Sequence, residues 1–120
     1  MVKILVVDDS RIFRNILYTT LSENGYDVVG MVPNGQECLD FLKENPTPDI
    51  ITLDITMPVM DGIEALVKIR ELYPTAKVIM VSASGQKQKV MEALKIGAVD
   101  FIHKPFKTEE INIIISRHCD

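Results

Sequence analysis

The sequence predicts an α/β fold, a three-layer sandwich in which helices cover both faces of a five-stranded parallel sheet. Short apolar, β-branched runs recur at Ile4 to Val7, Val28 to Met31, Ile50 to Leu53, Val78 to Val81 and Phe101 to Ile102. The segments between them have helical length and period. Several runs are apolar on successive residues, as strands are when both faces of a parallel sheet are covered.

The first strand runs into Asp8 and Asp9. A helix after Ser10 keeps Ile12, Phe13, Ile16, Leu17, Thr20 and Leu21 on one face, and Asn24-Gly25 supplies a left-handed stop. Beyond the second strand, Asn34 and Glu37 form a capping box for a helix carrying Cys38, Leu39, Phe41 and Leu42, which Pro46 and Pro48 end. The third strand meets Asp54, and the next helix starts near Asp61-Gly62 and buries Ile63, Leu66, Val67 and Ile69 before Pro74. The fourth strand ends at Ser82, and its helix buries Val90, Met91 and Leu94 before Gly97. After the fifth strand comes Lys104, then a helix from Thr108, its expected N-cap, to Cys119. The β-branched Ile111, Ile113, Ile114 and Ile115 favour strand locally, but they continue an established βα rhythm, and packing overrides propensity.

At 120 residues the chain is expected to form one domain, residues 1–120, with a real hydrophobic core. Thirteen Lys and Arg against seventeen Asp and Glu, with no basic stripe, argue against nucleic acid as a partner. Charge appears within the first ten positions, and no apolar run approaches the roughly 20 residues that span a bilayer. The expectation is a cytoplasmic protein without membrane insertion. Cys38 and Cys119 lack CxxC spacing, so neither a disulfide framework nor a thiolate metal site is expected. Cys38 reads as helix packing and Cys119 as part of a fraying terminus.

Asp8, Asp9, Asp54, Ser82 and Lys104 all fall at carboxyl ends of strands. In parallel α/β sheets these ends share one edge, where ligands bind at the point of reversed strand order. Three carboxylates brought together repel, by about 4 kcal/mol per pair at 4 Å and an effective dielectric of 20. Oxygen-only donors suit a hard divalent cation, and Mg²⁺ uses one or two carboxylates plus a phosphate. A cation and Lys104 would neutralise a transferring phosphoryl group, Ser82 could bond one of its oxygens, and Asp54 could attack phosphorus. The site reads as a phosphoryl acceptor.

The segments VVDDS (Val6 to Ser10), DITMPVMDG (Asp54 to Gly62), VSAS (Val81 to Ser84) and GAVDFIHKPF (Gly97 to Phe106) resemble, in order and spacing, the receiver domains of two-component response regulators. The resemblance covers the whole chain. It implies a flavodoxin-like doubly wound (βα)5 sandwich with strand order 2-1-3-4-5. It also implies that Asp54 is phosphorylated, that Asp9, Asp54 and the Thr56 backbone carbonyl bind Mg²⁺ directly, and that Asp8 reaches the ion through water. Lys104 would pair with the phosphate, aimed inward by a cis Lys104-Pro105 peptide, and Ser82 would move towards the phosphate. Phe101 matches the family's switch aromatic, whose turning reshapes the face of the fourth helix, fifth strand and fifth helix; permanent core is the competing reading. Thr56 and Ser84 hold positions that tune dephosphorylation in the family.

The SASGQKQKVMEALKIGAVDFIHKPF segment and the length resemble stand-alone chemotaxis (CheY-like) receivers. That implies a monomeric signalling protein that catalyses its own phosphoryl transfer and autodephosphorylation. Its implied partners are a chemotaxis-type sensor histidine kinase, a flagellar motor switch protein and an aspartyl-phosphate phosphatase. A phosphorelay intermediate, or a receiver excised from a multidomain regulator, is the alternative pathway. An aspartate-nucleophile hydrolase would present its acids as DxD after the first strand, and a flavin carrier would carry a hydroxyl- and glycine-rich first loop; neither pattern is here. A degenerate receiver would lack an acid or the lysine. Asp8 and Asp9 as simple helix N-terminal acids would leave the matched Asp54 unexplained.

Overall fold

The computed structural model describes residues 1–119. The elements alternate as β1 (Lys3–Val7), α1 (Arg11–Glu23), β2 (Asp27–Val32), α2 (Gly35–Glu44), β3 (Ile50–Asp54), α3 (Gly62–Leu72), β4 (Lys77–Ser82), α4 (Lys87–Ile96), β5 (Asp100–His103) and α5 (Thr108–Ser116). The five strands form one parallel sheet in the order β2-β1-β3-β4-β5, as the resemblance implied. The order reverses between β1 and β3.

The central strands are buried on both faces, and alternation divides them between two cores. Leu5, Val7, Ile51, Leu53, Val78 and Met80 meet α2, α3 and α4 through Cys38, Leu42, Leu66, Ile69 and Ala93. Ile4, Val6, Ile50, Ile79 and Ile102 meet α1 and α5 through Leu17, Leu21, Ile111 and Ile115. Packing thus holds the isoleucine-rich α5 as a helix. Among the described residues, no helix is long and apolar enough to cross a membrane.

Several details differ from the sequence expectation. Ile12 is 71% exposed and Ile16 41%, because the first turns of α1 lie at the carboxyl edge of the sheet; only Leu17, Thr20 and Leu21 are buried there. Val67, Met91 and Leu94 are also exposed. Helix α4 turns Val90 and Ala93 inward instead, beside an edge strand only four residues long. Lys107, not Thr108, is the N-cap of α5, because the backbone stays extended through Lys107; neither residue caps with its side chain. That helix ends at Ser116, short of the expected Cys119. Cys119 is not frayed: its Sγ donates to the Ile115 carbonyl at 3.2 Å and packs beside Tyr26. The capping box at α2 is half formed: Asn34 accepts from the Glu37 N–H at 2.9 Å, but Glu37 returns to the Asn34 side chain, not to its backbone.

Candidate functional site

Asp8 and Asp9 leave β1 on one side of the switch point, and Asp54 ends β3 on the other. Carboxylate oxygens of all three lie within 4.8 Å of one another. Asp8 and Asp54 are buried, whereas Asp9 is exposed. Lys104, beyond β5, extends its Nζ to 2.9 Å from Asp8 Oδ2 and 3.2 Å from Asp54 Oδ2. The Lys104-Pro105 peptide is cis. The Lys104 N–H donates to the Ser82 carbonyl at 2.6 Å, joining the lysine to the end of β4.

Local bonds hold these side chains in place. Asp8 Oδ1 accepts the Ser10 N–H at 2.8 Å, and Ser10 caps α1 by accepting from Phe13. Arg14 donates to the Asp8 carbonyl at 2.6 Å. Phe13 lays its ring 4.3 Å from Lys104 Nζ and meets Phe106 edge-on at 5.4 Å between centroids. The cation is thus held between carboxylates and an aromatic face. After β3, the Gly62 N–H donates to the Ile55 carbonyl at 2.7 Å, and a Cβ on Gly62 would collide with the Asp54 carbonyl. That close approach explains the glycine that follows Asp61, itself the side-chain cap of α3.

The electrostatics are those of a site with surplus negative charge. Burial, reinforced by the Asp8 charge, pushes the Asp54 carboxyl up to about 7 despite the opposing pull of Lys104. Burial alone would lower Lys104, but bonding to Asp8 and the charges of Asp54 and Asp8 outweigh it and raise the ammonium above its ordinary value. Asp8 Oδ2 has Lys104 Nζ as its partner at 2.9 Å. Three carboxylates whose oxygens lie within 4.8 Å of one another make an all-oxygen donor set with more negative charge than one ammonium offsets, which fits a hard divalent cation such as Mg²⁺.

Ser82 is buried at the end of β4, one residue beyond the Val81 that pairs with Asp54. Phe101 does not sit in the core: it is 41% exposed and, with His103, Met91 and Leu94, lines a cleft of about 450 Å³ between α4 and β5. Thr56 is exposed, and its hydroxyl accepts from the Gln86 amide at 2.6 Å. Sequence reasoning missed Phe13 and Phe106 as neighbours of the lysine, Arg14 as a brace, and Gln86. Phe13 carried only an apolar signal, and nothing in the pattern distinguished Arg14 or Gln86 from ordinary helix residues.

Residues 4–116 match the family model described as the response regulator receiver domain. The chain is 45% identical over 109 residues to chemotaxis protein CheY of Thermotoga maritima, covering 91% of this chain and 90% of that one. It is 46% identical over 111 residues to CheY of Listeria monocytogenes, covering 92% of each. Among solved structures, a CheX-CheY-BeF3-Mg+2 complex from Borrelia burgdorferi superposes with a TM-score of 0.90 at 36% identity, covering 97% of this chain and 87% of that one. The response regulator domain of Thermotoga maritima CheB gives 0.88 at 36% identity, covering 99% and 96%.

Proposed function

This chain belongs to the response regulator receiver family, and from that premise we propose that it is a phosphorylation-activated switch of the chemotaxis type, one domain over residues 1–120, working in the cytoplasm. One observation carries the reading: a nearly buried Asp54 at the switch point, inside a carboxylate cluster, with Lys104 Nζ 3.2 Å away.

An Asp54 oxygen attacks phosphorus, the phosphorus–nitrogen bond of a donor phosphohistidine breaks, and an acyl phosphate forms on Asp54. Asp9, Asp54 and the Thr56 carbonyl would hold Mg²⁺, and Asp8 would reach it through water. When bound, the ion supplies positive charge against the phosphoryl oxygens. Lys104 pairs with one of those oxygens in place of its contact with the free Asp54 carboxylate, and Ser82 bonds another. Water later attacks phosphorus, the bond from the Asp54 oxygen to phosphorus breaks, and inorganic phosphate leaves as the Asp54 carboxylate is regenerated. The protein thus catalyses its own phosphoryl uptake and release.

Redirecting Lys104 and Ser82 draws the β4 and β5 ends towards the phosphate, and Phe101 turns into the adjoining cleft. This reshapes the α4-β5-α5 face for a flagellar motor switch protein. A chemotaxis-type histidine kinase supplies the phosphoryl group and an aspartyl-phosphate phosphatase removes it. Similarity to CheY proteins, one of them solved in complex with CheX, supports output through protein contact.

Incubation with acetyl phosphate and Mg²⁺ should add one phosphoryl group, and Asp54→Ala or chelation should block it. An unchanged intact mass in the wild type would defeat this function.

A further inference from the structure

The β4–α4 loop is tied across the site by a single side chain. The Gln86 amide oxygen accepts the Ala83 N–H at 2.7 Å, and its amide nitrogen donates to the Thr56 hydroxyl at 2.6 Å, thirty residues away in sequence. One planar group therefore joins the loop that follows Ser82 to the loop that follows Asp54. Gln86 is also the N-cap residue of α4, and its carbonyl accepts the Val90 N–H at 3.0 Å. Its side chain makes no cap bond to the helix, so it can leave Ala83 and Thr56 without breaking that backbone bond.

Two features give the loop freedom to move. Gly85, next to Gln86, has φ +82° with open space where a Cβ would be. The cleft of about 450 Å³ lies directly against Ser82, Ala83, Gly85 and Gln86. An anion could take the place of the Gln86 amide oxygen on the Ala83 N–H.

We propose that Gln86 is a latch: it occupies the Ala83 N–H and anchors the β4–α4 loop to Thr56 in the unphosphorylated protein, and it must let go before that loop closes on a phosphoryl group. The proposal rests on Asp54 being the phosphoacceptor. A phosphoryl group there brings three acceptor oxygens to the end of β4, where the Ala83 N–H follows the Ser82 hydroxyl. The latch and the phosphoryl group compete for one donor, so the latch lowers affinity for phosphate by the strength of the bonds exchanged. Gln86 is a positioning residue that acts through Ala83 and Thr56.

Beryllofluoride with Mg²⁺, titrated against the full chain and followed by the Ala83 amide resonance, tests this. Gln86→Ala should bind about 3- to 10-fold more tightly than wild type, the range expected for losing one competing hydrogen bond. Thr56→Val, which keeps its backbone carbonyl, should shift affinity in the same direction by less. The double variant should match Gln86→Ala alone, because both substitutions open one latch. If wild type binds but Gln86→Ala binds equally or more weakly, the latch is overturned and the phosphoacceptor reading stands. If wild type does not bind, the phosphoacceptor reading fails and the latch with it. A merely structural Gln86 would lower the urea midpoint without tightening beryllofluoride, which also overturns the latch.

Discussion

Two clusters in this molecule pair carboxylates with cations at opposite ends of β5, and they are tuned in opposite directions. Near its carboxyl end, Asp54 shares one ammonium with Asp8 and has Asp9 close by, and its carboxyl is pushed up to about 7. At the start of the strand, Asp100 has partners of its own, with His118 Nε2 at 2.9 Å and Arg117 Nη1 at 3.5 Å. Burial there raises the carboxyl, but bonds from His118 and the Phe101 N–H, with the charges of His118 and Arg117, bring it below its ordinary value. These contacts tie the residues that follow α5 to the sheet. Surplus negative charge does not serve the fold, and it makes sense as a place kept for a cation and a phosphoryl group.

The largest break in this contrast should come from Lys104→Met. It removes the cation between two buried carboxylates and should cost about 3 kcal/mol in urea unfolding at pH 8 with chelator. The loss should shrink when Mg²⁺ is added, because the ion restores positive charge. An equivalent loss with and without Mg²⁺ would mean that Lys104 acts through packing on Phe13.

Asp9→Ala should move the other way, raising stability by about 1 kcal/mol in chelator while weakening Mg²⁺ binding. A variant that melts below wild type in chelator would remove the argument from repulsion.

The pH responses sharpen the contrast through their signs. Asp54 titrates above the unfolded value of about 3.9, so between roughly pH 4 and 7 the native state holds a proton that the unfolded chain has lost. In chelator, its contribution to stability is therefore full below about pH 4 and falls as pH rises to about 7. Asp100 is lowered, so its contribution is present above the unfolded value and is lost on further acidification. Asp54→Asn should flatten the fall towards pH 7, and Asp100→Asn should remove part of the acid limb. Urea midpoints across pH, measured in chelator, check both.

The smallest effect belongs to Asp100→Asn at neutral pH. It should cost about 0.5 kcal/mol, as expected of a partly exposed pair, and leave phosphoryl uptake unchanged. Slower uptake would couple the two clusters.

The contrast also marks what the sequence could reveal. Runs such as Ile4 to Val7 and Ile50 to Leu53 announced buried parallel strands, and strand ends announced where Asp8, Asp9, Asp54, Ser82 and Lys104 converge. Met91, Leu94, Ile12 and Ile16 misled, because helical period identifies an apolar face without saying whether a neighbour covers it. The Asp100–His118 pair and the Gln86 bridge were invisible for another reason. Each joins ordinary polar residues through loop geometry that no local spacing encodes.

The central claim is that Asp54 sits in excess negative charge that a cation would relieve, while Asp100 does not. A carboxyl-carbon NMR titration in chelator and again with Mg²⁺ tests it most directly. In chelator Asp54 should titrate near 7 and Asp100 below its ordinary value, and Mg²⁺ should lower Asp54 sharply while leaving Asp100 unmoved. An Asp54 that titrates in the ordinary carboxylate range and ignores Mg²⁺ would contradict the account.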